Sequence, residues 1–107
     1  MSEESILVLS TFPDADTARR VARVLVEEKF AACVNLVPQI ESIYRWQGAI
    51  ETASEVLALI KSTIGKYQLL EARIRELHPY EIPEIISLRI DSGHVDYLRW
   101  IEQSVVE

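Results

Sequence analysis

The feature that most constrains the fold is a long alternation of apolar and polar side chains from Cys33 to Trp46. A period of two predicts a β-strand, because successive side chains point to opposite faces of a sheet. We expect Val34, Leu36, Ile40, Tyr44 and Trp46 to point one way, and Asn35, Gln39, Glu41 and Arg45 the other. Pro38 cannot donate to a neighbouring strand, so a bulge or bend is predicted there. Gln47-Gly48 predicts the turn into a returning strand.

This hairpin is too long for one subunit to cover. At about 3.3 Å per residue the strand would extend about 45 Å, whereas ordinary strands extend about 17 to 20 Å. Its outer half, with Ile43, Tyr44 and Trp46, would expose aromatic surface as an isolated two-stranded ribbon. Further copies of the chain in a cyclic dimer or trimer would cover that surface. The alternative is that Pro38 folds the outer half back onto its own subunit.

The rest of the chain alternates strands with amphipathic helices. We predict strands over residues 5–12, 50–62 and 84–90, helices over 14–29 and 65–77, and a last helix that carries Tyr97, Leu98 and Ile101. Ile86, Leu88 and Ile90 are expected to point inward from the fourth strand. This order predicts an α+β, ferredoxin-like βαββαβ fold with a four-stranded antiparallel sheet, a long β2–β3 hairpin and an extra C-terminal helix. The length fits a single domain over residues 1–107.

Composition narrows the functional classes. The chain has 17 acidic and 11 basic residues, a formal charge of -6, and no basic cluster, which argues against a nucleic-acid partner. Its apolar runs, such as residues 56–60, are far shorter than the roughly 20 residues that cross a bilayer, so no membrane association is expected. Cys33 is the only cysteine, which excludes an internal disulfide and fits a reducing, cytoplasmic location.

Several motifs, in order along nearly the whole chain, resemble the CutA family. They are Ala31-Ala32-Cys33-Val34-Asn35, Ser42-Ile43-Tyr44-Arg45-Trp46-Gln47-Gly48, Leu59-Ile60-Lys61-Ser62-Thr63, His78-Pro79-Tyr80-Glu81-Ile82-Pro83-Glu84 and Tyr97-Leu98-Arg99-Trp100. The resemblance implies a homotrimer of ferredoxin-like subunits similar to the PII trimers. It also implies a role in divalent-cation tolerance, with copper or another divalent metal ion as the partner and no organic cofactor.

Metal ligands are scarce in the sequence. Copper and zinc favour imidazole and thiolate groups, and this chain offers only Cys33, His78 and His94. His78 is the best candidate, with Glu84 as a neighbouring carboxylate ligand, whereas His94 is expected to be an exposed residue without a role. The CutA resemblance implies a cysteine at the end of the first strand, where this chain has Ser10. The alternative for His78 is that its ring caps the carbonyl groups at the end of the second helix.

A ligand would most naturally occupy clefts between subunits. By analogy with the PII trimers, we expect these interface clefts to be lined by Tyr44, Trp46, Lys61 and Tyr80, together with His78 and Glu84. Tyr44 and Trp46 could instead be packing residues, which is the commoner role of aromatic side chains on a strand.

Catalysis is not expected. The sequence has no nucleophile and base at a recognisable spacing, and its three glycines are scattered rather than gathered in a phosphate-binding loop. The first functional hypothesis is a trimeric, non-enzymatic tolerance protein that binds divalent cations weakly near subunit interfaces. The alternative is a PII-like trimeric scaffold or small-molecule sensor, with a small anion or another protein as its partner and with incidental metal binding.

Overall fold

The computed structural model describes residues 4–106. Its strands are β1 (Ser5–Phe12), β2 (Cys33–Trp46), β3 (Ala49–Thr63) and β4 (Ile86–Arg89). Its helices are α1 (Ala15–Glu27), α2 (Tyr67–Leu77) and α3 (Val95–Ser104), and a single 3-10 turn, Ile64–Lys66, leads into α2. None of the helices in this range is long and apolar enough to span a membrane.

The four strands form one antiparallel sheet in the order β2-β3-β1-β4. This order, with the element sequence βαββαβα, confirms the ferredoxin-like α+β fold. The β2–β3 hairpin is the longest feature, and it contributes to a chain that measures 47 Å along its longest axis and about half that along the others. Its outer half is exposed in the single chain, with Ile43 at 69% and Ile50 at 62% of full exposure.

The main core lies between the sheet and the α1–α2 layer. Helix α1 begins where the Asp14 carboxylate accepts a hydrogen bond from the Thr17 amide (2.8 Å), at the start that was predicted for this helix. The buried side chains come from both helices, from alternate positions of β1 and β3, and from the α1–β2 connection. They are Ile6, Val8, Phe12, Ala18, Val21, Leu25, Ala31, Val56, Ala58, Ile60, Leu70 and Ile74.

The bulge predicted at Pro38 is present, and beyond it the side chains of β2 point to the opposite faces of the sheet from those predicted. Pro38 and Gln39 together lie opposite Val56, and Gln39 adopts a positive φ of 60°. Because side chains alternate, one extra residue turns every later side chain to the other face. Ile40 pairs with Glu55 rather than facing the core beside Val34. The prediction that Val34 and Leu36 share a side with Ile40, Tyr44 and Trp46 is therefore wrong.

The fourth strand also differs from its prediction. It covers Ile86–Arg89 only, and the pairing of Leu7 with Leu88 turns the side chains of Ile86 and Leu88 away from α1 and α2. Both remain about half exposed, at 50% and 49%. The expectation that these residues point into the core is wrong, because the alternating pattern does not say which face of an edge strand is covered.

Residues on this second face of the sheet form an apolar patch, which we call the leucine face. Its members are Leu7, Leu9, Leu57, Leu59, Ile86 and Leu88. Helix α3 packs against β1 and β3 and forms a separate small core of Ala32, Ile101 and Val105, with Leu98 beside it. The side chain of His94, for which no role was expected, accepts a hydrogen bond from the Tyr97 amide (3.3 Å) and so caps α3.

Candidate functional site

A cleft of about 750 Å3 lies between the outer half of the hairpin and the segment after α2, residues 79–84. We call it the hairpin cleft. Its lining residues are Thr11, Ser42, Ile43, Tyr44, Trp46, Glu55, Pro79, Tyr80, Glu81, Ile82 and Glu84. The β2 bulge creates this arrangement, because it places Tyr44 and Trp46 on the same side of the ribbon as Glu55.

His78 lies at the end of α2 and is buried, with both ring nitrogens engaged. Its Nε2 atom is 2.7 Å from the main-chain oxygen of Thr11, and its Nδ1 atom accepts a hydrogen bond from the Tyr80 amide at 3.1 Å. Only the neutral ring with hydrogen on Nε2 satisfies both contacts. The ring also stacks on Phe12 with centroids 4.5 Å apart. Burial lowers the pKa of His78, while the Thr11 carbonyl and the charge of Glu55 oppose the shift.

These contacts exclude the alternative that the His78 ring caps the end of α2. Its main-chain N–H continues the helical pattern by donating to Ile74, but its ring contacts the end of β1 rather than carbonyl groups at the end of α2. The ring therefore connects α2 to β1 and does not cap the helix. A metal ion could reach a ring nitrogen only after one of these hydrogen bonds had been broken.

Glu55 and Tyr80 form the second polar contact of the site. The Tyr80 hydroxyl donates to Glu55 Oε2 at 2.6 Å, and Glu55 is only 8% exposed. Burial is the main cause of the raised pKa of the Tyr80 phenol, and the hydrogen bond to Glu55 adds to it. The sequence pattern missed Glu55 as a site residue, because nothing in the pattern distinguishes it from the other glutamates of the hairpin.

The structure brings together some of the predicted site residues. Tyr44, Trp46, Tyr80 and Glu84 all line the hairpin cleft. Lys61 does not, since it lies six residues beyond Glu55 on β3, about 20 Å away along the strand. There it pairs across the sheet with Cys33 and its ammonium group contacts Asn35. Ser10, at the position where the CutA resemblance implies a cysteine, has a fully buried side chain.

The donor set of the single chain does not fit a soft copper site. Within residues 4–106 no three His, Cys, Asp or Glu side chains stand close enough together to hold a metal ion. His78 uses both nitrogens, and Glu55 accepts from Tyr80. Glu81 and Glu84 remain as the carboxylates of the segment after α2, and oxygen ligands suit harder cations than Cu(I).

Comparison with known proteins agrees with the fold and the motifs. A model of the CutA1 divalent ion tolerance protein family matches residues 6–104. The divalent-cation tolerance protein CutA of Thermus thermophilus is 46% identical over 92% of this chain and 95% of its own. Human protein CutA is 46% identical over 87% of this chain. This chain spans only about half (52%) of the length of the human protein. The crystal structure of CutA from Xylella fastidiosa matches with a TM-score of 0.94 and 41% identity, covering 96% of this chain and 99% of that one.

The fold and the site define a class of α+β proteins in which a ferredoxin-like fold carries an overhanging hairpin with a cleft at its base. Within that class, the chain belongs to the CutA1 divalent ion tolerance family.

Proposed function

We propose that this chain functions in divalent-cation tolerance as a homotrimer. The leucine face supports the assembly, because it leaves Ile86 and Leu88 half exposed on a sheet face that α1 and α2 do not cover. The outer hairpin exposes further apolar side chains, Ile43 and Ile50, on the opposite side of the ribbon. Exposed apolar surface of this kind is typical of subunit interfaces, and a closed ring covers every copy in the same way.

We further propose that the protein binds copper or other divalent cations weakly at the hairpin cleft, near a subunit boundary. The observation that carries this proposal is the charge of the cleft lining, which contains three carboxylates and no Lys, Arg or His among the described residues. Glu84 is the principal protein ligand in this proposal, and a neighbouring subunit completes the site. His78 becomes a ligand only if the metal displaces one of its two hydrogen-bond partners.

Calorimetric titration of the tag-free protein with Cu²⁺, Zn²⁺ and Mn²⁺ tests the metal proposal. We expect weak binding that Glu84→Gln reduces severalfold, with a control substitution, Glu27→Gln, on the exposed surface of α1 leaving the heat signal unchanged. The same titration of His78→Ala measures how far the imidazole contributes to metal binding. Heat signals that are the same for the wild-type protein and Glu84→Gln would contradict the proposal.

A second function, a PII-like scaffold or small-molecule sensor with incidental metal binding, is favoured by one observation. Both ring nitrogens of His78, the best candidate for a borderline-soft metal ligand, already have partners inside the chain. Native mass spectrometry of the purified protein tests this function by searching for a co-purifying small molecule. A metal ion as the only bound species would count against the sensor and for the first proposal.

We propose that the protein is not an enzyme and that it acts in the cytoplasm. The family description names tolerance and no reaction, and the cleft pairs Glu55 with Tyr80 rather than with a nucleophile. Cys33 as the only cysteine fits a reducing compartment. Fractionation of the producing cells checks the location, and recovery outside the cytoplasmic fraction would contradict it.

A further inference from the structure

The hairpin cleft combines negative charge with aromatic surface. Among its lining residues, Glu55, Glu81 and Glu84 carry carboxylates and none carries a basic group. The chain as a whole is also negatively charged, with a formal charge of -6. Such a lining attracts cations and repels anions, so an anionic metabolite is a poor candidate for the ligand of a sensor.

Aromatic rings occupy more than one wall of the cleft. Tyr44 and Trp46 are two residues apart on β2 and therefore point to the same side of the ribbon, where they are 44% and 39% exposed. Tyr80 comes from the segment after α2, and its hydrogen bond to Glu55 fixes the position of its ring. A cation over the face of such a ring gains about 0.5 to 2 kcal/mol.

These properties suit an organic cation better than a bare metal ion. Aromatic carbon cannot coordinate a metal, and no three potential metal ligands converge within residues 4–106. A volume of about 750 Å3 matches the size of small-molecule sites, which range from about 300 to 1,000 Å3. A quaternary ammonium ion has a large, weakly hydrated charge, so it can contact aromatic rings and carboxylates together.

We propose that the hairpin cleft binds a quaternary ammonium ion, with its apolar groups on Tyr44 and Trp46 and its charge near Glu81 and Glu84. This inference rests on the second candidate function, a small-molecule role for the protein, and requires no metal. Glu55 acts through Tyr80 as a positioning residue, because its carboxylate already accepts the Tyr80 hydroxyl.

Choline, in buffer containing a metal chelator, is the probe for this site. Calorimetry measures its binding to the wild-type protein, and fluorescence in a Trp100→Phe background reports Trp46 alone, because the chain has only two tryptophans. The matched neutral ligand is the choline isostere in which a tert-butyl group replaces trimethylammonium. Circular dichroism confirms that each variant is folded before titration.

We expect saturable choline binding, with affinity for the neutral isostere lower by about tenfold or more. Glu81→Gln and Glu84→Gln should each weaken choline binding severalfold and Trp46→Leu by about tenfold, while Glu27→Gln has no effect. Equal binding of the two ligands, or no choline binding by folded protein at millimolar concentration, would overturn the inference. Because no metal is present, such a failure leaves the divalent-cation titration described above as an independent test.

Discussion

The Nε2 atom of His78 lies 2.7 Å from the main-chain oxygen of Thr11, which joins the end of α2 to the end of β1. The opposite side of the same ring accepts the Tyr80 amide and so orients the segment that forms one wall of the hairpin cleft. The histidine that the sequence singles out as a metal ligand is thus a structural connection between the core and the site.

Removal of this imidazole should strongly destabilise the fold. His78→Ala leaves the Thr11 carbonyl and the Tyr80 amide without their partner and removes the stacking on Phe12. We expect the free energy of unfolding to fall by about 2 to 4 kcal/mol, measured by urea denaturation. The matched control is His94→Ala, which removes only an exposed helix cap and should cost at most about 1 kcal/mol. Equal small losses in the two variants would contradict the structural role of His78.

The buried His78 imidazole should also make the stability of the protein depend on pH. Burial lowers the pKa of His78 below its ordinary value of 6.5, so the unfolded chain binds a proton more readily than the folded chain. Stability should therefore decrease as pH falls from about 6.5 through the lower pKa of the folded state. Urea denaturation at successive pH values checks this, with His78→Gln as the reference that retains every other titrating group. The prediction would be contradicted if the free energy of unfolding changed with pH in the same way in the wild-type protein and in His78→Gln.

Alanine substitution of two buried serines on the core side of the sheet should change the free energy of unfolding in opposite directions. The Ser10 hydroxyl has no hydrogen-bond partner within the described residues, whereas the Ser62 hydroxyl donates to the Phe30 carbonyl at 2.6 Å. Ser10→Ala should raise the free energy of unfolding by about 1 kcal/mol, and Ser62→Ala should lower it by about 1 kcal/mol or more. Thermal and urea denaturation measure both. A loss of stability in Ser10→Ala would show that its hydroxyl has a partner.

The leucine face gives a matched test of assembly. Leu88, on β4, and Leu69, on α2, are similarly exposed in the single chain, at 49% and 53%. Leu88→Asp places a charge on the proposed interface and should dissociate the protein, whereas Leu69→Asp should leave its mass unchanged. Sedimentation of variants with wild-type circular dichroism spectra compares them. A folded Leu88→Asp variant that keeps the wild-type mass would place the interface elsewhere.

Much of the fold could be predicted from local patterns. The alternation of residues 33–46 identified β2, the predicted start of the first helix at residue 14 is where Asp14 caps α1, and Pro38 marked the bulge. What could not be predicted was the consequence of the bulge. Proline marks where a ladder is interrupted, but the number of extra residues depends on pairing with the other strand, and that number decides which face Tyr44 occupies.

The candidate site was predictable only in part, for a related reason. The resemblance to the CutA family and to the PII trimers placed Tyr44, Trp46, Tyr80 and Glu84 at one cleft, and the structure brings these four together. The partners of His78 were not visible, because Thr11 is 67 residues away and contributes only its main-chain oxygen. A main-chain acceptor leaves no signature in side-chain patterns.

Sedimentation equilibrium at micromolar concentration tests most directly the claim that neighbouring copies cover the leucine face and the exposed isoleucines of the outer hairpin. We predict a single species with three times the 12.2 kDa mass of the chain. A folded species with the mass of one chain would contradict the claim, because the exposed apolar surfaces would then need no partner.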